Sequence, residues 1–507
     1  MMIEDHRARV QALDKALDVL EAFDAQTPDL RASEISRITG MGKSGTQRTV
    51  HTLQRCGYLK RDPKSSALSL SPRCAILANS YLRGSRLIDL AMVHLVALSA
   101  KTGLRTDLWA PIDDDVINIA RVPAQATTAA LAPIGERRKA AGSAMGRVIQ
   151  AGLQAEAALD EAPADSRPAA ELHCLDLGET TPREATFAAA VTGADGRCIA
   201  AVSVSGPTRG FATEEQRQRI VEAVTDTAQL LCDLRIDTWA RTFVQTVQPP
   251  MPEMVESTDD DPLFISSVAR GLRTLEAFCD GPIEQTLTSL RRATGYPTPT
   301  LQRLLATLAT RGYVDRNTRH KTFRLSVRTL DLVFKMQMGD HALKSIWPRL
   351  LRLRNESGLR CTYCVRDGVN TIHLLHVQSS PQADFRTAHL GRRLPAVSNS
   401  GGLALLSSLE EAALDRLLEG YVVQPITDHT TTDMRLIREE IRKTRVRGYA
   451  YTDEQSIAHD TNIAAPVFQG QQAVGALVVS APKADWSVER LEREMVPLLL
   501  KYARDPA

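Results

Sequence analysis

The stretch TGMGKSGTQRTVHTLQRCGYL at residues 39–59 decides the fold, and it occurs twice: residues 294–314 read TGYPTPTLQRLLATLATRGYV. In each copy a glycine, Gly40 or Gly295, follows a short helical segment (33–39; 288–294), where a left-handed cap lets the chain turn sharply. A longer helix follows. Thr298 then Pro299 reads as an N-cap before a proline at the first helical position, and Ser44 can cap copy one. Gly57 or Gly312 stops that helix. Upstream, Leu13, Ala16, Leu17, Leu20 and Phe23, like Val268, Leu272, Leu275 and Phe278, keep helical spacing. Downstream come two short alternating strands with a basic tip: Tyr58–Lys60 and Leu68–Ser71, then Tyr313–Asp315 and Phe323–Ser326. Three helices and a two-stranded wing make a winged helix-turn-helix.

Working outward, the repeat covers nearly the whole chain. LEAF at 20–23 returns at 275–278, Gly103-Leu104-Arg105 returns as Gly358-Leu359-Arg360, and residues 193–207 match 468–482. Half two carries about twenty residues that half one lacks between roughly 152 and 187. The expected domains are a winged helix-turn-helix at 8–73, a shortened sensor domain at 74–244, a linker at 245–262, a second winged helix-turn-helix at 263–328 and a second sensor domain at 329–507. Proline and acidic residues in 245–262 cannot bury a core. As a flexible tether it spans on the order of 25 Å, so the copies should be near neighbours.

Composition bounds the function. The 507 residues are 43% hydrophobic and 24% charged, which excludes disorder and fibrous folds. No apolar run reaches the ~18–20 residues of a membrane span, and the N-terminus has no signal-peptide character. Eight scattered cysteines make no disulfide framework, so a cytoplasmic protein is expected. The net charge of +2 conceals two basic islands. Residues 31–73 hold nine Lys and Arg against two acids, and 286–328 hold nine against one. Two basic islands in an otherwise acidic chain are the footprint of two polyanion-binding modules.

Duplex DNA fits this pattern: the third helix enters the major groove and wing cations meet phosphates. The candidate DNA-binding residues are Lys43, Ser44, Thr46, Gln47, Arg48 and Arg61, with Thr298, Thr300, Gln302, Arg303, Arg316 and Lys321 in copy two. Gln47 and Gln302 can read an adenine or hold a phosphate, and Arg48 and Arg303 can do either. Lys43 becomes Thr298, so the two readers are not identical. A helical hairpin used only for protein contacts is the alternative. The rest of each copy reads as helices (73–83 and 87–101; 328–338 and 343–356), short strands, a helix (142–152; 398–409), a final hairpin and a C-terminal helix. This is an α+β tandem duplication with a mostly antiparallel sheet in each sensor.

Chemistry finds little support. Cys361-Thr-Tyr-Cys364 lies on a strand whose alternation points the thiols to opposite faces. His373 and His376 are expected to face opposite ways too, without partners, and Asp113-Asp114-Asp115 reads as a hairpin tip. No metal or cofactor is implied, and no nucleophile–base pair appears, so no enzyme is expected.

The order of modules resembles the isocitrate-lyase-regulator (IclR) family of bacterial transcription regulators, with each half similar to a nearly complete member. The 39–59 and 294–314 segments carry the resemblance, with RGYAYTDEQSIAHDTNIAAPVF (447–468) and AVGALVVSAP (473–482). The family implies a winged helix-turn-helix, a linker helix and a GAF-like effector-binding domain that takes small organic acids or aromatic catabolites. By position, the implied effector residues of copy two are Asn399, Ser400 and Gly401 at a helix-start turn, Asp453 on the preceding loop, and Asn462 and Ser480 on the final strands. Copy one offers Ser143, Ala144 and Met145 with Ser203 and Ser205, and no clear match to the acidic position. The family's usual lysine after the turn glycine is Arg147 or Leu403 here. The expected partners are an operator duplex and an effector. The expected assembly is a homodimer or an intramolecular pseudo-dimer, and the alternative function is a ligand-binding scaffold that has lost DNA binding.

Overall fold

The computed structural model describes residues 9–124, 133–159, 172–179, 183–238, 261–377 and 390–504. All but the last two residues of the expected linker lie outside them. Head one is α1 (Gln11–Glu21), α2 (Ala32–Thr39), α3 (Lys43–Arg55), β1 (Leu59–Arg61) and β2 (Leu68–Leu70). Linker helix α4 (Cys74–Gly84) leads to sensor one: α5 (Arg86–Thr102), β3 (Arg105–Ile112), β4 (Asp115–Val122), β5 (Arg137–Lys139), α6 (Ala144–Leu159), β6 (His173–Asp176), β7 (Glu184–Thr192), β8 (Cys198–Pro207) and α7 (Glu214–Asp233). Head two is α8 (Ser266–Glu276), β9 (Gln285–Thr286), α9 (Leu287–Thr294), α10 (Thr298–Thr310), β10 (Val314–Asn317) and β11 (Thr322–Leu325), followed by linker helix α11 (Thr329–Gly339). Sensor two is α12 (His341–Ser357), β12 (Arg360–Asp367), β13 (Asn370–Val377), β14 (Arg393–Pro395), α13 (Ser400–Leu406), α14 (Glu411–Leu418), α15 (Met434–Arg447), β15 (Ala450–Asp453), β16 (Asp460–Gln469), β17 (Gln472–Pro482) and α16 (Val488–Arg504).

Each sensor sheet is six-stranded and antiparallel, in the orders β5-β4-β3-β8-β7-β6 and β14-β13-β12-β17-β16-β15. Identical order in both copies makes the duplication structural as well as sequential. Residues 160–172 stand between α6 and β6, whereas copy two has the longer stretch 407–449, with α14 and α15, between α13 and β15. Among the described residues no helix is long and apolar enough to cross a membrane.

The chain forms two compact units. One gathers the described residues of 1–81, 245–379 and 386–507, hence both heads and sensor two; the other is sensor one. Within the first unit the heads pack on each other with reciprocal contacts. Ile265 N donates to Thr52 Oγ1 at 3.0 Å, and the equivalent Val10 N donates to Thr307 Oγ1 at 2.9 Å. Arg73 Nε meets Glu276 at 2.7 Å, and its equivalent Arg328 meets Glu21 at 3.8 Å. Tyr58 donates to Glu276 at 3.2 Å, and Tyr313 bonds to Glu21. Such mutual exchange is the signature of a two-fold contact, here made inside one chain.

Several local expectations need correction. Helix α10 has Pro297 as its N-cap, which puts Thr298 and Pro299 inside the first turn, and Gly42 rather than Ser44 precedes α3. Proline's fixed φ tolerates either place, so sequence alone misplaces the start by one. The helix expected at 398–409 ends at Leu406 after a 3-10 turn at Ala396–Ser398. His373 and His376 do not diverge: a bulge at Leu374 sets His373 opposite Cys364 and His376 opposite Thr362, on one face. His376 Nδ1 also bonds Thr362 Oγ1 at 3.2 Å. The thiols of Cys361 and Cys364, by contrast, fall on opposite faces. No group of three or more metal-ligating side chains converges among the described residues.

Candidate nucleic-acid interface and effector site

Helix α2 ends at Gly40 with φ +68°, and α9 ends at Gly295 with φ +73°. These left-handed caps swing α3 and α10 into the position of reading helices. On α3, Lys43, Ser44, Gln47 and Arg48 are exposed. Thr46 is not: it is buried, and its hydroxyl donates to Gly42 O at 3.2 Å, so its place is the packed inner face of the helix. On α10, Gln302 and Arg303 are exposed while Thr298 and Thr300 are half-buried.

Both wing tips use one device. Asp62 accepts the N–H groups of Lys64 and Ser65 at 2.6 and 2.9 Å, and Asn317 accepts those of Arg319 and His320 at 3.0 Å each. Such side-chain turns hold exposed Arg61 on one wing and Arg316 and Lys321 on the other. The Arg61 guanidinium also donates to Ser66 O at 3.3 Å and to Gln54 Oε1 at 3.4 Å, which holds its head along the wing. Between the heads runs a groove lined by Arg9, Gln11, Arg270, Thr300 and Arg303. Arg9 and Arg270 escaped sequence reasoning because they start or lie on helices whose periodicity marks them only as outward-facing.

Sensor two brings part of its expected effector residues together. Across four strands, Arg360, Ser480, Asn462 and Thr452 stand opposite one another in a single row. Alternation places this row on the sheet face that carries Cys364 and Val478, against which α13 packs. All four row residues are buried, and the Thr452 hydroxyl has no hydrogen-bond partner among the described residues. Arg360 pairs with Asp460 beside it. Burial, then Arg392 and Arg360, push the nearby His373 imidazole down to about 3. Asn399 caps α13 by accepting Gly402 N–H at 2.8 Å, and Ser400 and Gly401 are buried in its first turn. Asp453 is not on a loop: it ends β15 opposite Thr461, one residue out of phase with the row, and binds Thr461 and Lys483. Arg360 and Thr452 were legible only through strand register.

Sensor one has the same frame with different filling. Its row reads Arg105, Ser205, Thr186 and Asp176, so Asp176 stands where copy two has Thr452. Ser205 bonds Thr186 at 2.9 Å, and Ser203 accepts the Trp109 indole N–H at 3.1 Å. Trp109 occupies the position of Cys364 and Met145 that of Gly401; both are fully buried in one apolar cluster with Ala144. In copy two a Cβ on Gly401 would lie only 2.5 Å from Cys364 Sγ. Asp107 is buried between Arg121 at 2.6 Å and Arg105 at 2.9 Å. Burial alone would raise its carboxyl, but the two guanidiniums hold it below the ordinary range.

Comparison with known proteins agrees with both modules. The IclR helix-turn-helix domain matches residues 12–63 and again 267–318, and the bacterial transcriptional regulator IclR C-terminal domain matches 339–507. The chain belongs to the IclR family. Similar IclR relatives include the regulator XynR of Escherichia coli K12, 28% identical over 217 residues, which are 42% of this chain and 83% of that protein. The p-hydroxybenzoate hydroxylase transcriptional activator of Acinetobacter baylyi is 27% identical over 247 residues, 48% of this chain and 90% of that one. A crystal structure of an IclR family regulator from Brucella abortus is 23% identical, with a TM-score of 0.42, and covers 50% of this chain and 95% of its own. This is thus a bacterial-type DNA-binding transcription regulator with the IclR head repeated in tandem.

Proposed function

We propose that the two heads read two non-identical half-sites as an intramolecular pair, and that a small organic or aromatic acid held in sensor two sets their DNA affinity. The reciprocal exchange of Thr52 with Ile265 and of Thr307 with Val10 carries the first part: one chain supplies both members of a two-fold reader. The buried Arg360–Ser480–Asn462–Thr452 row supports the second. It offers two amide or hydroxyl groups beside the Arg360–Asp460 pair, and an unsatisfied hydroxyl that costs ~1–3 kcal/mol until something bonds it. The Acinetobacter relative, named for control of p-hydroxybenzoate hydroxylase, is in keeping with an aromatic acid. In sensor one, the larger Trp109 and Met145 replace Cys364 and Gly401 and are fully buried, which supports a structural rather than a sensing role.

A route between sensor two and the heads lies within the same compact unit. Asn79 on α4 donates to Leu390 O at 3.0 Å, and Gly391 lies so close to α4 that a Cβ there would sit 1.7 Å from Ala75 O. Arg393, fully buried, reaches Asp280 of head two at 3.5 Å. An effector changes DNA affinity only by binding one arrangement of the heads better than another, and these contacts are where the arrangements would differ. The test is a titration of the purified chain against its own upstream intergenic DNA at several salt concentrations. Specific binding with a steep fall of log K against log salt is expected. Arg48→Ala and Arg303→Ala should each weaken a different half-site by about 1–3 kcal/mol. Equal loss at both half-sites would count against the assignment.

A further inference from the structure

The two sides of the head-to-head contact are not alike, and their differences are complementary. Helices α1 and α8 occupy equivalent positions, offset by 255 residues from Gln11–Glu21 to Ser266–Glu276. On one side Leu13 is buried directly over Gly271, where an added Cβ would lie 2.4 Å from Leu13 Cδ1. The equivalent pair on the other side is Val268 and Ala16, both fully buried. A larger side chain therefore faces the residue without a Cβ, and a smaller one corresponds to the residue with a methyl.

Charge follows the same division. Arg311 of head two meets Asp18 at 2.7 Å, Glu21 at 2.5 Å and Asp14 at 3.5 Å on α1. The equivalents are Cys56 in place of Arg311, and Ala269, Arg273 and Glu276 in place of the three acids. Cys56 is buried, and Glu276 acts on its thiol, as the two-fold relation requires. There Arg273 lies 3.9 Å from Glu276, which also holds Arg73.

We propose that this interface is keyed: each head is fitted to pair with the other head and is excluded from pairing with a second copy of itself. A pair of first heads would press Leu13 onto Ala16 and set Asp14, Asp18 and Glu21 beside Cys56, with Arg73 as the facing cation. A pair of second heads would leave Val268 over the hole at Gly271 and bring Arg311 against Arg273. Overpacking and uncompensated like charge oppose the first, and a void with like charge opposes the second. Only the mixed pair fills the hole and meets the charges on both sides. The inference rests on packing and stands whether or not the heads read two half-sites.

The experiment uses the full chain and its thermal unfolding, which needs no DNA. A variant giving α8 the character of α1 (Val268→Leu, Ala269→Asp, Gly271→Ala, Arg273→Asp) should melt about 4–8 °C lower in the transition that separates the heads. The same four changes combined with the reverse exchange on α1 (Leu13→Val, Asp14→Ala, Ala16→Gly, Asp18→Arg) and with Cys56→Arg and Arg311→Cys should melt near the parent, since the key is only turned around. A four-fold variant as stable as the parent would overturn the proposal. So would a fully exchanged chain no more stable than the four-fold variant.

Discussion

His373 shows how much a single side chain can report. It sits on the row-bearing face of sensor two, and burial with two nearby guanidiniums pushes it from 6.5 to about 3. The folded chain therefore refuses a proton that the unfolded chain accepts. Its contribution is fully present above pH ~6.5 and is lost as pH falls from there toward 3, reaching roughly 3 kcal/mol by pH 4. Unfolding of the parent and of His373→Gln between pH 4 and 7 should differ by a gap that shrinks as the solution is acidified. A constant gap would show that His373 titrates alike in the folded and unfolded chain and would overturn the shift. The same residue marks a limit of sequence reading. Strict alternation turned His376 to the wrong face, because a bulge is set by sheet packing and not by the residues that flank it. Gly40, Gly295, Gly57 and Gly312 were read correctly for the opposite reason: each answers a local backbone need, a positive φ, that no neighbouring element alters.

At the scale of elements, the helix-start turn and the sheet row distinguish the sensors. Gly401 lies so close to Cys364 that even a Cβ would not fit, while Met145 and Trp109 stand at the equivalent positions in sensor one. Isothermal titration of the acid identified as effector should therefore find one site per chain. Gly401→Met, which gives copy two the residue of copy one, should abolish that site while leaving DNA binding in place. Two sites per chain would refute the filled-pocket reading of sensor one. The head elements emerged from sequence to within a residue or two, since their periodicity and punctuation are local. The sensor frame emerged in outline, but the row Arg360–Ser480–Asn462–Thr452 did not. Its members are far apart in sequence and meet only through register, and Asp453 was misplaced for the same reason: one step along β15 exchanges faces.

For the molecule as a whole, the reciprocal bonds of Thr52 and Thr307 have a consequence for gene dosage. A regulator whose reader forms from two separate chains must first find its partner, so at low abundance occupancy of its target falls with roughly the square of concentration. On the pairing proposed above, the second reader arrives on the same polypeptide and already packed against the first, so no search for a partner precedes binding. Occupancy should follow the first power of protein concentration down to the lowest level at which binding is detectable, with a Hill slope near one on a two-half-site duplex. A slope near two would mean that readers from different chains must meet on the DNA. A cell holding only a few molecules would then keep a working regulator, and halving their number would halve the response rather than quarter it.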